Sequence, residues 1–85
     1  MFELRLSHEA AKFYQKLPTK RARQVNRALD HLIREPFAGP QIKRLHGPLE
    51  GSWRCRVGDL RIIYRVDLEA HLVWVETIGP RGSVY

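Results

Sequence analysis

Acidic residues, thiols and long apolar runs are all scarce in this chain. Nine Asp and Glu stand against fifteen Lys and Arg, for a formal charge of +6. A field of that sign concentrates anions at the surface, so the partners to expect are nucleic acids or acidic proteins. The lone Cys55 excludes an internal disulfide and a thiol-rich metal set, and fits a reducing compartment. No apolar run approaches the length of a membrane span, and the opening Met1-Phe2-Glu3-Leu4-Arg5 lacks the apolar stretch of a secretion signal. A soluble, cytoplasmic protein with no membrane contact is expected. The 85 residues suffice for a single domain, 1–85, with one modest core, and they contain no repeats and no low-complexity tract.

What is present is an unusual placement of arginine. Trp53-Arg54-Cys55-Arg56-Val57 and Leu60-Arg61-Ile62-Ile63-Tyr64-Arg65-Val66 alternate basic and apolar residues on either side of Gly58-Asp59. Successive strand side chains point to opposite faces. A two-residue type II′ turn at Gly58 sets Val57 opposite Leu60, Arg56 opposite Arg61 and Arg54 opposite Ile63. One face then carries Trp53, Cys55, Val57, Leu60, Ile62, Tyr64 and Val66, and the other carries Arg54, Arg56, Arg61 and Arg65, with Ile63 among them. Like charges directly across a ladder destabilise it, and the hairpin has no acid on that face to relieve them. An anionic ligand would, so the face reads as a phosphate-binding surface. Parity puts Cys55 in the core as an inert thiol.

The remaining elements follow from periodicity. Phe2, Leu4 and Leu6 alternate with Glu3 and Arg5 as a half-buried first strand. Ser7 offers an N-cap, and Ala10, Phe13, Tyr14 and Leu17 share one side of a helix from about residue 8 to 16 or 17, which Pro18 breaks. A second helix from about Thr19 carries Ala22, Val25, Leu29 and Leu32, and Pro36 ends it. Arg5, Arg21, Arg23, Arg27 and Arg34 read as exposed charges. Residues 36–51, punctuated by glycine and proline, form a connector anchored by Ile42 and Leu45. Leu72-Val73-Trp74-Val75-Glu76-Thr77-Ile78 is a further strand. Trp53 and Tyr64 are expected in the core, with the Tyr64 hydroxyl reaching its edge. Parity leaves Trp74 open between core and base stacking. The predicted fold is α+β: two N-terminal helices packed on one face of a mostly antiparallel sheet of about four strands, with the arginine face left open.

Three segments carry a resemblance to a known group: Lys43-Arg44-Leu45-His46-Gly47, the hairpin Trp53 to Tyr64, and the ending Ile78-Gly79-Pro80-Arg81-Gly82-Ser83-Val84-Tyr85. Together they resemble the RelE/ParE superfamily of toxin–antitoxin toxins over the whole chain, and the closing Arg81-x-x-Val84-Tyr85 pattern leans toward the RelE side. The resemblance implies a small RelE-like domain acting as a ribosome-dependent mRNA endonuclease that inhibits translation and arrests growth. It implies a cognate antitoxin, the ribosome and mRNA as partners, and no metal or small-molecule cofactor. With the sequence ending at Tyr85, the extra C-terminal helix of some RelE proteins is not expected.

In that family the ribose 2′-hydroxyl attacks the adjacent phosphorus, which calls for a proton acceptor, cations on the phosphorane and an acid for the leaving 5′-oxygen. The resemblance places catalytic roles on Arg54, Arg56, Arg61, Arg81 and Tyr85, with Arg61 and Arg81 as phosphate-binding arginines and Tyr85 stacking or moving a proton. Lys43, Arg44, His46 and Arg65 are the further RNA-binding candidates. Arg54 and Arg56 stand where RelE proteins often carry lysines, and arginine does not accept a proton. The base is therefore open between His46, Glu50 and catalysis by positioning alone. Two other functions stay in view: a ParE-like inhibitor of DNA gyrase, and an inactive binding member of the same family.

Overall fold

The computed structural model describes residues 1–80 of the chain. Its strands and helices run β1 (Glu3–Leu6), α1 (His8–Gln15), α2 (Thr19–Arg34), β2 (Ile42–Arg44), β3 (Trp53–Val57), β4 (Leu60–Asp67) and β5 (Leu72–Pro80), with a 3₁₀ turn at Gly47–Leu49. Ser7 starts α1 as expected: its Oγ accepts from the Ala10 amide at 3.0 Å and donates to the Glu76 carbonyl at 2.6 Å, tying the helix start to β5. Pro18 separates the helices, and its carbonyl accepts the first bond of α2, from Ala22. The amide of Phe2 donates to the Ile33 carbonyl at 2.7 Å, fastening the end of α2 beside β1.

The sheet order is β1-β5-β4-β3-β2. β1 runs parallel to β5 and every other pairing is antiparallel. Five strands form rather than about four, because Ile42–Arg44, read as connector, pairs with β3 at the sheet edge. Three residues are too few for a two-residue period to show in the sequence. The hairpin has the expected register, with Val57 opposite Leu60, Arg56 opposite Arg61 and Arg54 opposite Ile63. Gly58 takes φ +59° while Asp59 keeps a negative φ, as a type II′ turn requires.

Both helices cover one sheet face. Ala10, Val25, Leu29 and Leu32 pack with Cys55, Val57, Leu60, Ile62, Tyr64, Val73, Val75 and Ile78 into one buried cluster. Val25 and Leu32 are wholly removed from solvent, a gain of about 1.5–3 kcal/mol for each side chain. Tyr64 is also fully buried, and its hydroxyl donates to the Pro36 carbonyl at 2.6 Å, capping the segment that leaves α2. Trp53 lies at the rim rather than in the centre, half-buried between Phe37 and Arg44. Arg21, expected as an exposed charge, keeps an exposed side chain and also grips Asp59 at the hairpin tip. No helix among the described residues is long and apolar enough to cross a membrane.

Candidate functional site

The sheet face turned away from the helices is built in rows set by the register. At the hairpin end Arg56 faces Arg61, and Arg61 faces Gly79, whose lack of a side chain leaves that row to the two guanidinium groups. The next row on this face runs Lys43, Arg54, Ile63 and Thr77. Arg54, Arg56 and Arg61 are half-buried, so their aliphatic stems pack along the sheet and carry the charges upward. The Nε atoms of Arg54 and Arg56 are buried and make no hydrogen bond among the described residues. A buried charged donor without a partner costs free energy that an incoming phosphate oxygen would return. Four cations, Lys43, Arg54, Arg56 and Arg61, thus gather at one end, and no described carboxylate forms an ion pair with Arg54 or Arg56.

Arg65 does not join them. Between Ile63 and Tyr64 the β4–β5 register shifts, so that Ile63 pairs with Thr77, Tyr64 pairs with Val75 and Glu76 is the extra residue of a bulge. The Glu76 carboxylate accepts from Arg65 Nε at 3.2 Å and from Ser52 Oγ at 3.1 Å. Arg65 is therefore held in an internal ion pair, and the face carries an acid that the hairpin alone did not reveal. Ile63, expected among the arginines, is buried there at 4 % exposure, as is Leu45 at 9 %. An apolar and acidic strip of Leu45, Ile63, Ser52 and Glu76 thus divides the face.

The remaining candidates are dispersed. Lys43 sits beside Arg54. Arg44, one residue on, points to the other side of the sheet with its guanidinium 5.3 Å from the Trp53 ring centroid. His46 precedes the 3₁₀ turn and Glu50 follows it, both exposed. They lie past the Leu45–Ser52 bond, at the opposite end of β3 from Arg56, a separation of about 13 Å along the strand. Arg81 and Tyr85 lie outside the described residues. Glu76 and the bulge that re-aims it are what sequence reasoning missed. Parity left the face of Trp74 open and with it that of Glu76, and an added residue in one strand leaves no compositional trace.

The thiol of Cys55 lies below this face, where burial pushes its pKa up to about 11 against the opposing pull of Arg54. It is a core group and no nucleophile. Burial likewise raises the Tyr64 phenol above its ordinary range. The described residues contain no group of three His, Cys, Asp or Glu side chains placed to hold a metal. On the helix side, a groove of about 320 Å³ opens between α2 and β3, lined by Gln24, Arg27, Ala28, His31, Ile42 and Cys55 among others.

Comparison with known proteins agrees with this architecture. The family model described as ParE toxin of type II toxin-antitoxin system, parDE, matches residues 4–85. Comparison with curated proteins found no match. Among solved structures, the chain is similar to one in the RelBE2 toxin–antitoxin complex of Mycobacterium tuberculosis, with 30% identity, a TM-score of 0.81, and 94% of this chain and 98% of that one covered. It is similar to one in the archaeal RelE–RelB complex of Pyrococcus horikoshii OT3, with 26% identity, a TM-score of 0.82 and 98% of both chains covered. The YoeB/ParE toxin of Agrobacterium tumefaciens shares the fold at a TM-score of 0.84 and 22% identity, with 94% of this chain and 99% of that one covered. A two-helix layer on a five-stranded sheet, matched by the family model over nearly its whole length, places the chain in the RelE/ParE superfamily of type II toxin–antitoxin toxins.

Proposed function

We propose that this toxin is a ribosome-dependent, metal-independent mRNA endonuclease that stops translation in the cytoplasm. The observation that carries this reading is the cluster of Lys43, Arg54, Arg56 and Arg61 at one end of the open face, with two buried Nε donors lacking partners. Arg56 and Arg61 stand abreast across the hairpin, where forked donors from two strands can hold the non-bridging oxygens of one phosphate. Attack by the 2′-hydroxyl then builds negative charge on the phosphorane, and fixed cations stabilise it without reorganising. Arg81 supplies a further phosphate contact, and Tyr85 stacks on a base or moves a proton. His46 and Glu50 are remote from this pair, which favours catalysis by in-line positioning and charge over a dedicated protein base. Lys43 and Arg54 lead the strand toward the pair.

The antitoxins that accompany the RelBE2 and RelE–RelB toxins suggest the partner. A cognate antitoxin with an acidic segment over the arginine cluster, or an amphipathic one in the groove beside α2, would hold this toxin inactive. The test of activity is primer extension on a reporter mRNA after induced expression, with translated and untranslated transcripts compared. Cleavage confined to the translated transcript, and lost in Arg61→Ala and Arg81→Ala, is expected. Wild-type cleavage by both variants would overturn the assignment.

The family model favours a second reading, inhibition of DNA gyrase without RNA cleavage. Supercoiling by purified gyrase separates the two, since only that reading gives inhibition or trapped cleaved DNA. A binding member without catalysis would give neither result and no growth arrest.

A further inference from the structure

Beyond the acidic strip, the open face carries a second basic row that the catalytic reading does not use, followed at the end of the strands by the row Glu3, Leu72 and Asp67. Trp74 of β5 faces Arg65 of β4 on one side and Arg5 of β1 on the other. The indole is 38 % exposed, on the same face as Arg54, Arg56 and Arg61. It has no stacking partner among the described residues, unlike the other exposed aromatic, Phe37, which leans on Trp53. The indole thus offers an open π-face and an N–H to a partner that lies over the sheet.

The charge around it says what that partner is. Arg65 spends Nε on Glu76, and its side chain remains 53% exposed with the terminal nitrogens beside Gly51. Arg5 is 64% exposed and only loosely paired with Glu3 at 3.7 Å. A π-face flanked by two guanidinium groups suits a base between two phosphates. An open hollow beside the indole, lined by Gly51, Arg65, Leu68, Leu72 and Trp74 with Asp67 and Glu69, offers apolar wall and acceptors to a base edge, while its carboxylates repel phosphate. Arg61 and Arg65 are four residues apart on one strand, a span of about 13 Å that a short stretch of extended single-stranded RNA bridges.

We propose that Trp74, between Arg5 and Arg65, is a stacking platform for an unpaired base of the RNA strand whose backbone rests on Arg54, Arg56 and Arg61. The inference builds on the nuclease reading and adds a second contact to it. The Glu76–Ser52–Ile63 strip between the two basic rows sets the spacing, since a phosphate avoids it.

The experiment measures binding of the 85-residue chain to a single-stranded RNA of about ten nucleotides, 2′-O-methylated so that it cannot be cleaved. Trp74→Ala and Trp74→Leu should each weaken binding about tenfold, and Trp74→Phe only about twofold, as the loss of one base–aromatic stack dictates. Leucine keeps the apolar bulk, so a loss in Trp74→Leu with an unchanged unfolding transition reports the ring rather than the fold. The difference between wild type and Trp74→Leu should vanish on an oligonucleotide of abasic residues, while Arg61→Ala weakens binding to both. Wild-type affinity of Trp74→Leu for the intact RNA, or a defect that persists on the abasic strand, overturns the platform. A loss confined to the antitoxin would make this row a protein interface and overturn it equally. Because the strand cannot be cut, these results stand whether or not the toxin cleaves mRNA on the ribosome.

Discussion

Arg21 at the start of α2 holds Asp59 at the hairpin tip with two parallel bonds, Nη1 to Oδ1 at 2.6 Å and Nη2 to Oδ2 at 2.9 Å. This clamp fixes the end of the hairpin that carries Arg56 and Arg61. Hydrogen bonding from Arg21 holds the Asp59 carboxyl below its ordinary value of 3.8. A carboxyl lowered on folding lends stability at pH above the unfolded value and loses it as pH falls through the folded one. The pair is exposed, so the effect is small. Urea midpoints measured from neutral to strongly acid pH should fall below the ordinary Asp range, and Asp59→Asn should lack that component of the acid limb.

On the proposed nuclease reading, Arg56→Ala and Arg61→Ala should each lower translation-dependent cleavage by about a hundredfold or more, the usual effect of removing one transition-state charge. Because these stems are only half-buried, unfolding transitions should shift far less than activity. Cleavage kinetics on programmed ribosomes together with thermal melts check both halves of this expectation.

Tyr64→Phe removes the donor to the Pro36 carbonyl while keeping the ring in place. The stranded, fully buried acceptor should cost about 1–3 kcal/mol in unfolding free energy. Equilibrium urea unfolding measures it, and antitoxin affinity should be unchanged once the variant is folded.

Cys55 provides a built-in reporter of unfolding. With its thiol raised to about 11 by burial, it should react with a disulfide reagent at mildly alkaline pH only through global opening. The same shift predicts that the Cys55 contribution to stability, constant below the unfolded value of 9.0, declines as pH rises from there toward 11, because the unfolded thiol ionises first. Cys55→Ala should remove the decline that begins near pH 9.0 and leave the one that the raised Tyr64 phenol adds above 10.0.

Gly51 takes φ +94°, and a Cβ there would meet Arg65 Nη1 at 3.2 Å. Gly51→Ala should therefore destabilise the chain by about 1–2 kcal/mol and loosen the loop that Ser52 pins to Glu76. Denaturant unfolding gives the first figure, and amide exchange at residues 47–52 the second effect.

Much of this architecture could be read from local pattern. The hairpin register followed from Gly58-Asp59 and strict alternation, and α1 and α2 from Ser7, Pro18 and the spacing of Ala10, Val25, Leu29 and Leu32. Long-range pairings could not be read in the same way. β2 is too short to show a period, and Arg21 finds Asp59 across 38 positions of sequence. The site was legible as a set of residue types on one face, since parity sorted Arg54, Arg56 and Arg61 correctly. The division of that face depends on the Glu76 bulge, a property of two strands in register rather than of either alone.

The order of strands has a consequence for when the poison becomes active. β1, the first strand made, has β5 as its only partner among the described residues, and β5 also fills the gap between β1 and β4. A nascent chain can form its hairpin early, yet β1 stays unpaired and the floor beneath α1 incomplete until residues 72–80 have cleared the exit tunnel. The last-made of the described strands thus closes the sheet, so the pairing of β1 and the layer beneath α1 are completed in one step.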